Sequence, residues 1–260
     1  MQCRGVFLTG TDTDVGKTHV GCLIARQLVK LGYRVGAYKP VASGFPKWDG
    51  SDGQRLWEAT SRIGTPELVS PQRFKAPFAP SVAASMEGRT VDEQQIFSGV
   101  ARMVNECDFL MIEGAGGLMS PISPRLTNAD LAAMLGTPII LVANWKLGVV
   151  HQVLATLTAA HLYSLSVAAI ILSAADGAIP DPSHQTLLSD FLKARCVDSP
   201  TFDATGNDRD IVPIRQLPES WKRIPFLTLP HDQETFSEEF DWTSLFKPMN
   251  AELLSHWGNV

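Results

Sequence analysis

The stretch VFLTGTDTDVGKT, from Val6 to Thr18, decides the fold class that we predict for this chain. Its apolar start, followed by Gly10, is typical of a buried strand. From Lys17 to Leu31 apolar residues recur at spacings of four, four and three, which is one face of a helix, and Gly32 suits its C-terminal cap. A strand, a loop ending in G-K-T and a helix, in this order, are typical of a loop that binds phosphate groups.

The loop departs from the usual pattern G-x-x-x-x-G-K-[ST], because Thr11 stands where the first glycine belongs and Gly10 comes one residue early. The end of the loop is regular. Gly16 lets the backbone approach phosphates, Lys17 supplies a mobile positive charge, and the Thr18 hydroxyl suits a magnesium ion. The strand before the loop and the helix after it favour a phosphate site over a chance G-K-T on a surface turn.

The polar interior of the loop, Asp12 to Asp14, needs a separate explanation. Carboxylates beside a triphosphate repel it unless a cation lies between them. We therefore predict that Asp12 faces the amines of a second substrate and that Thr13 hydrogen-bonds the group that is transferred. The alternative is that these side chains only brace the turn, and for Asp14 bracing or a backbone role is the interpretation that we favour.

Further apolar runs, separated by helical patterns, predict a parallel sheet. The predicted strands are Arg34 to Lys39, Asp108 to Ile112, Ile139 to Ala143 and Val167 to Leu172, and the clearest later helix runs from Val149 to Tyr163. Strands that alternate with helices indicate βαβ units. We predict an α/β fold of the P-loop NTPase type, with one domain over residues 1–260, a mostly parallel sheet and helices on both faces.

The remaining segments are less regular. Residues 48–53 and 65–80 are rich in Pro, Gly and charge and are predicted to be surface loops. Residues 176–220 are interpreted as an elaboration of the same domain, with a helix from Ser183 to Arg195. Near the C-terminus, residues 242–257 are predicted to form a helix docked on the core.

Composition limits the class of protein. With 260 residues, 45% of them hydrophobic, the chain can build one large core. Its net charge of −5 argues against nucleic acid as a partner, and no apolar run reaches the length of a membrane span. We find no secretory signal, and the four scattered cysteines form no C-x-x-C pair, so a cytoplasmic protein with reduced thiols is expected.

Other polar residues follow predicted strands or lie in the loops after them. Ligands of open α/β sheets bind outside the carboxyl ends of strands. Lys39 in YKPVASG is therefore predicted to hold an anionic reactant rather than to be a solvated lysine. Ser43 is predicted to approach the same ligand. Glu113 follows a buried strand and precedes GAGG, a typical place for a metal ligand beside phosphates. Asp52 is a further candidate metal ligand, and the alternative is an ordinary helix cap at Ser51 or Asp52. Together with Thr18 and phosphate oxygens, these carboxylates suit magnesium.

These motifs together resemble the dethiobiotin synthetase family, which are ATP-dependent cyclo-ligases of biotin synthesis. The resemblance covers roughly residues 4–175. It is carried by GTDTDVGKT (Gly10 to Thr18), YKPVASG (Tyr38 to Gly44), SD (Ser51 and Asp52), MEGR (Met86 to Arg89), EGAGG (Glu113 to Gly117) and KLG (Lys146 to Gly148). The motifs in this order are far more specific than the loop alone.

The resemblance implies that 7,8-diaminopelargonate, carbon dioxide and ATP react to dethiobiotin, ADP and phosphate, with Mg²⁺ and in a homodimer. The catalytic residues that it implies are Lys39, Lys17 and Thr13. For the second substrate it implies Asp12, Thr13, Ser43, Gly148, Val149, Val150 and His151. For the nucleotide it implies Asp14, Val15, Gly16, Lys17, Thr18, His19, Gly114, Ala115, Gly116, Ser173, Pro225, Phe226 and Leu227.

Two positions depart from the family pattern. Ser173 stands where the family commonly has an Asn that reads adenine, and His151 stands where many members have an Asn after the KLG loop. An enzyme of the same fold with a changed acceptor therefore stays an alternative. A non-metabolic ATPase switch is a second, although such switches carry a lysine where this chain has Asp12. A cobyrinate synthase of the amidotransferase type would need an appended glutaminase domain, for which the chain is too short.

Overall fold

The fold is described from a computed structural model, which places residues 3–44, 47–174, 181–195, 201–203, 211–213, 218–230, 236, 240–250 and 254–256. The strands are β1 (Arg4–Gly10), β2 (Val35–Tyr38), β3 (Val41–Ser43), β4 (Gln72–Phe74), β5 (Phe109–Gly117), β6 (Ile139–Asn144), β7 (Val167–Ser173), β8 (Thr201–Asp203), β9 (Ile211–Pro213), β10 (Phe226–Leu229) and β11 (Lys247–Pro248). The α-helices are α1 (Lys17–Lys30), α2 (Asp52–Ala59), α3 (Pro66–Val69), α4 (Pro80–Met86), α5 (Glu93–Met103), α6 (Asn128–Leu135), α7 (Val149–Leu162) and α8 (Pro182–Arg195). Glu219–Arg223 and Trp242–Leu245 form 3₁₀ helices.

The central sheet is mostly parallel. Its strand order is β10-β7-β6-β1-β5-β2, every neighbouring pair in this order is parallel, and β11 pairs antiparallel with the start of β1. The carboxyl ends of parallel strands meet at one edge of a sheet. The phosphate loop after β1, Lys39 after β2 and Ser173 at the end of β7 therefore lie at the same edge.

Helices cover both faces of this sheet. On one face α1 and α2 pack against Leu8 and Met111, and on the other α5 and α6 pack against Phe7 and Ile112. Further along the second face, α7 and α8 cover Ile170 and its neighbours. The predicted α/β architecture is confirmed.

The predicted strands, and the predicted helices before residue 200, agree with the structure within two residues at each end, except for the end of β5. β5 was expected to end before Glu113, but it continues to Gly117. It is held there by β1, because Gly10 pairs with Gly117 after a register shift that begins at Leu8. The glycine cluster is therefore part of the sheet rather than a loop beyond it.

The two segments predicted to be surface loops contain more structure than expected. α2 begins at Asp52, inside residues 48–53. Residues 65–80 contain α3 and β4, and β4 pairs parallel with β3 in a separate two-stranded sheet. A strand of three residues is too short for its periodicity to be read from the sequence.

The helix predicted for residues 242–257 is wrong. The 3₁₀ helix Trp242–Leu245 is followed by β11, and only residues 254–256 are helical among the described residues that follow. Pro248 lies inside the predicted helix, where a proline would remove a hydrogen bond and clash with the preceding turn. Apolar residues of this segment still dock on the core, as Trp242 and Phe246 do beside α1.

Part of the predicted elaboration at residues 176–220 lies outside the described residues. Its expected helix is present as α8, and β8 and β9 form an antiparallel pair. Among the described residues, no helix combines the length and apolar character that crossing a bilayer requires. Cys3, Cys22 and Cys107 are buried free thiols, as expected for packing residues, and Cys196 lies outside the described residues.

Candidate active site

The loop between β1 and α1 depends on backbone conformations that few residues adopt. Gly16, the N-cap of α1, has φ of 92°, and Asp14 has φ of 53°. Glycine reaches such angles without strain, and aspartate is one of the residues that tolerate them. This geometry supports the backbone role favoured for Asp14. In the described residues no side chain caps α1, so its first N–H groups suit phosphate oxygens.

The loop backbone approaches Gly10 closely. In the usual pattern the first glycine of the motif stands one residue later. A Cβ at this position would lie 2.7 Å from the carbonyl oxygen of Asp12 and 3.1 Å from Nζ of Lys17. The chain folds back over residue 10, and only glycine leaves room for it. The displaced glycine of the motif thus has a steric reason.

Asp12 braces this loop from both its side chain and its backbone. Its Oδ1 accepts a hydrogen bond from the Thr13 N–H at 2.7 Å, and its carbonyl oxygen accepts one from Lys17 Nζ at 2.8 Å. These contacts support the bracing alternative for Asp12. Burial lowers the pKa of Lys17, although the negative charge of Glu113 acts in the opposite direction and favours the charged lysine.

Lys39 is buried after β2, and its ammonium group bridges two carboxylates. Nζ lies 2.7 Å from Asp52 Oδ2 and 2.5 Å from Glu113 Oε1. Burial opposes the charge, but attraction to Glu113 and Asp52 outweighs it and raises the pKa of Lys39. Burial would likewise raise the pKa of Asp52, yet the Lys39 ammonium holds it below its usual value. Lys39 is therefore a buried, charged residue and not a solvated lysine.

Ser51, rather than Asp52, caps α2. Its Oγ accepts a hydrogen bond from the Gln54 N–H at 3.2 Å. The Asp52 carboxylate instead pairs with Lys39. The helix-cap alternative therefore applies to Ser51, and the side chain of Asp52 points to the site.

These groups line one cleft of about 480 Å³ at the carboxyl edge of the sheet. Such a volume is typical of a small-molecule site. The predicted site residues that line it are Thr13, Asp14, Gly16, Lys17, Thr18, His19, Lys39, Ser43, Asp52, Glu113, Ala115, Gly116 and Ser173. The phosphate loop, both carboxylates, Lys39 and the end of β7 thus share one space.

Comparison with known proteins assigns the chain to a family. Residues 4–198 match the model of a family described as an AAA domain. The chain is 42% identical over 172 residues to the ATP-dependent dethiobiotin synthetase BioD of Caulobacter sp. strain K31, covering 65% of this chain and 75% of that protein. It is 41% identical over 180 residues to the protein of that name from Anaeromyxobacter dehalogenans strain 2CP-1, covering 69% and 80%.

The chain belongs to the dethiobiotin synthetase family. It is therefore an enzyme of the ATP-dependent ligase class, as its motifs predict. Among solved structures, FtsY from Mycoplasma mycoides aligns with 99% of this chain and 68% of its own length. Its identity of 15% and TM-score of 0.44 are too low to bear on either fold or function.

The family resemblance assigns Val15 of the phosphate loop and Gly114 of β5 to the nucleotide, but neither residue lines the cleft. Val15 is buried in the hydrophobic core beside α1. A Cβ at Gly114 would lie 2.5 Å from Asn128 Oδ1 and 2.9 Å from Phe7, on the far side of β5 from Glu113. Successive residues of a strand face opposite sides, so Glu113 and Gly114 cannot both point into the cleft.

The assignment of Pro225, Phe226 and Leu227 to the nucleotide needs a correction. β10 runs parallel to β7, with Phe226 opposite Ile170 and Leu229 opposite Ser173. The first residues of β10 therefore lie at the far end of the strand from the cleft. Pro230, directly after β10, is the residue that lines the cleft.

The N-terminus of α7, predicted to hold the second substrate, also lies outside the cleft of this chain. Gly148 is its N-cap with φ of 94°, Val149 is buried, Val150 is half-buried and His151 is exposed. The assignment of these four residues stays a prediction, and it requires substrate bound to a second subunit.

Oxygen atoms suited to magnesium lie together in the cleft. Thr18 Oγ1 donates a hydrogen bond to Glu113 Oε1 at 2.9 Å, and Glu113 Oε2 is buried with no partner among the described residues. Magnesium prefers oxygen ligands and keeps several waters. In the described part of the chain no cluster of three or more His, Cys, Asp or Glu side chains could hold a metal alone. Thr18, Asp52 and Glu113 therefore fit the ion together with phosphate oxygens.

Three residues that line the cleft were not predicted from the sequence: Ala42, Arg55 and Pro230. Nothing in the sequence marks Ala42 and Pro230 as residues of a site. Arg55 could have been predicted, because it follows Asp52 by three residues and residues three apart share one face of a helix.

Asn128, behind the cleft, was also missed. Its Nδ2 donates hydrogen bonds to the carbonyl oxygens of Ala115 at 2.8 Å and Gly117 at 2.7 Å. A signal was present, since Thr127 and Asp130 form a capping box that begins α6 at Asn128. The partners of Asn128, however, are eleven and thirteen residues away and are set by the packing of α6 on β5.

Proposed function

We propose that this protein is a magnesium-dependent dethiobiotin synthetase that converts 7,8-diaminopelargonate, carbon dioxide and ATP to dethiobiotin, ADP and phosphate. The observation that carries the proposal is the position of Lys39. Its ammonium group lies between Asp52 and Glu113, in the cleft that the phosphate loop also lines. A fixed positive charge is thereby available where a phosphoryl donor and an anionic acceptor would meet.

The first step of the proposed reaction captures carbon dioxide. One amine of the diamine attacks the carbon of CO₂, a C–N bond forms, and the nitrogen loses a proton to give a carbamate. Thr13 and Ser43 line the same cleft as Lys39. Their hydroxyl groups can both donate and accept hydrogen bonds, which suits orientation of an amine and of the carbamate.

Phosphoryl transfer is the second step. A carbamate oxygen attacks the γ-phosphorus, the bond to ADP breaks, and a carbamic–phosphoric anhydride forms. Because both reactants are anions, their approach needs positive charge, which Lys17 and Lys39 supply. Magnesium held by Thr18, Asp52, Glu113 and phosphate oxygens would neutralise further charge on the phosphates.

Ring closure is the last step. The second amine attacks the carbonyl carbon of the anhydride, and phosphate leaves with the electron pair of the C–O bond. Loss of the amine proton completes the cyclic urea. Lys39 contributes again, because a cation beside the leaving phosphate stabilises the charge that develops on it.

The proposal includes a cytoplasmic homodimer, in which the carboxylate of the diamine reaches the partner subunit. Gly148, Val149, Val150 and His151 open α7, and no described side chain caps this helix. A helix N-terminus attracts a carboxylate through its unpaired N–H groups and its dipole. Contact with a substrate held by the other subunit would agree with the position of these residues outside the cleft of their own chain.

The direct test is to incubate the protein with the diamine, bicarbonate and magnesium-ATP and to detect dethiobiotin by mass spectrometry. We expect one ADP and one phosphate for each ring formed. Lys30→Ala, at an exposed lysine near the end of α1, is the matched control for Lys39→Ala and should keep full activity. ATP hydrolysis without dethiobiotin would instead favour a changed acceptor, an alternative that His151 keeps open, or an ATPase switch.

A further inference from the structure

Arg55 lines the cleft but has no place in the proposed mechanism. It lies on α2 three residues after Asp52, so both side chains leave the same face of the helix. The Asp52 side chain reaches inward to Lys39, whereas Arg55 is exposed at the mouth of the cleft. Arg55 is thus about one helical turn from the proposed magnesium ligand Asp52.

The backbone at Arg55 is tied to α1, the helix that follows the phosphate loop. Cys22 Sγ donates a hydrogen bond to the carbonyl oxygen of Arg55 at 3.3 Å. Cys22 lies one turn after Thr18, and both Thr18 and His19 line the cleft together with Arg55. The base of the Arg55 side chain is therefore held beside the first two turns of α1.

The two lysines of the cleft contact oxygen atoms of the protein in addition to the reactants proposed for them. Lys39 is paired with two carboxylates, and Lys17 is buried with its Nζ on the Asp12 carbonyl oxygen. For Arg55 the described residues provide no carboxylate within ion-pair distance of the guanidinium group.

We propose that Arg55 is a further phosphate-binding residue, whose guanidinium group contacts the polyphosphate of the bound nucleotide from the α2 side of the cleft. The inference rests on the proposed function, because it needs a nucleotide at the phosphate loop. Arginine presents a planar fork of N–H donors that matches two phosphate oxygens at once and stays charged at any working pH. The N-terminus of α1 and Arg55 would then hold the phosphates from two helices.

A phosphate group is one source of the anion that Arg55 suits, and the carboxylate of the second substrate is the other. The position of Arg55 favours phosphate, since it lies on α2 three residues after the metal candidate Asp52, and its carbonyl oxygen accepts a hydrogen bond from Cys22 of α1. The experiment therefore measures both ligands separately.

Calorimetric titration with magnesium-ATP, magnesium-ADP and the diamine would test the assignment in the full-length protein. We expect Arg55→Ala to weaken ATP and ADP binding about tenfold, the scale for one exposed charge-assisted hydrogen bond, and to leave diamine binding within about twofold. Arg55→Lys should fall between, because it keeps the charge and loses the fork. The difference in nucleotide affinity between wild type and Arg55→Ala should become smaller in about 1 M salt, where charges are screened within about 3 Å.

Arg26→Ala is the matched control. Arg26 is an exposed arginine on α1, one turn after Cys22, and it does not line the cleft. It should bind every ligand as the wild type does. Equal ATP affinity in Arg55→Ala and wild type, with both folded by circular dichroism, overturns the inference and makes Arg55 a solvated surface charge. A loss confined to the diamine overturns the phosphate assignment. Failure of the wild type itself to bind magnesium-ATP counts against the proposed function.

Discussion

At the scale of single residues, Lys39 joins the chemistry of the site to its stability. Replacing it by alanine leaves Asp52 and Glu113 facing each other without a cation, and Glu113 is fully buried. Breaking a buried pair by removing one partner costs about 3 kcal/mol or more. We predict that Lys39→Ala loses at least about 100-fold in dethiobiotin formation and about 3 kcal/mol in the free energy of unfolding without metal.

Added magnesium should restore part of that stability in Lys39→Ala, because a cation again stands between the carboxylates. Urea denaturation with and without magnesium, beside Lys30→Ala, measures this effect. Turnover comparable to the wild type would remove Lys39 from the mechanism.

Ser173 bears on the selection of the nucleotide base. Its Oγ is buried at the end of β7, lines the cleft and has no hydrogen-bond partner among the described residues. A side-chain amide presents a donor and an acceptor on two neighbouring atoms, whereas a hydroxyl has both functions on a single oxygen. A two-point contact is worth about 1–3 kcal/mol of base discrimination. We predict that GTP and CTP replace ATP with only modest loss.

The matched variant Ser173→Asn should raise the preference for ATP by about tenfold or more, measured as the ratio of kcat/KM values for the three nucleotides. If the wild type already prefers ATP by about three orders of magnitude, Ser173 does not limit base selection. The residues that follow β10, beginning at Pro230, are then the place to look.

At the scale of elements, the end of β5 is shaped by α6. Asn128 holds the carbonyl oxygens of Ala115 and Gly117, and it fills the space in front of Gly114. Removing its amide leaves two backbone acceptors without their donor, which costs about 1–3 kcal/mol for buried groups. We predict that Asn128→Ala lowers the free energy of unfolding by about 2 kcal/mol and weakens ATP binding more than diamine binding.

Asn128→Asp is the close comparison, because it keeps the shape and replaces the donor by an acceptor. It should be worse than alanine, since its carboxylate would face two carbonyl oxygens. Denaturant unfolding together with titration of ATP measures both effects. An unchanged ATP affinity in a destabilised Asn128→Ala would show that the asparagine supports the fold but not the glycine segment of the site.

At the scale of the whole molecule, the proposed dimer is expected to complete the diamine site. The diamine has its amines near one end and its carboxylate at the other, so a substrate with its amines at Thr13 and Lys39 extends away from ATP. We predict that KM for the diamine rises on dilution as the dimer dissociates, while the affinity for ATP changes little. Sedimentation at assay concentrations beside the kinetics provides the check, and a fully active monomer rules out the shared site.

The first turn of α7 offers a second test of this shared site. His151→Asp would place a negative charge beside the substrate carboxylate and should raise KM for the diamine about fivefold, without an effect on ATP. His151→Asn, with nearly the same shape and no charge, should stay close to the wild type because the helix N–H groups remain. Equal KM values in the two variants would show that the carboxylate binds elsewhere.

Local chemistry in the sequence determined the class of the fold and much of the site. The spacing of apolar residues identifies β1 and α1, and G-K-T between them needs only neighbouring residues to bind phosphate. Lys39 and Glu113 were predictable for a related reason. Each follows or ends an apolar run, and parallel strands deliver such residues to one edge of the sheet whatever the rest of the chain does.

Tertiary structure alone decided how those residues meet. Lys39 contacts Glu113 across 74 residues of chain, and the sequence does not show that one ammonium group serves both carboxylates. The end of β10 reaches the cleft only because its register with β7 sets Leu229 beside Ser173. Periodicity and capping act over a few residues, whereas register and ion pairing depend on the packing of distant segments. The positions of residues at the edge of the cleft were therefore easier to predict from the sequence than the partners of those residues.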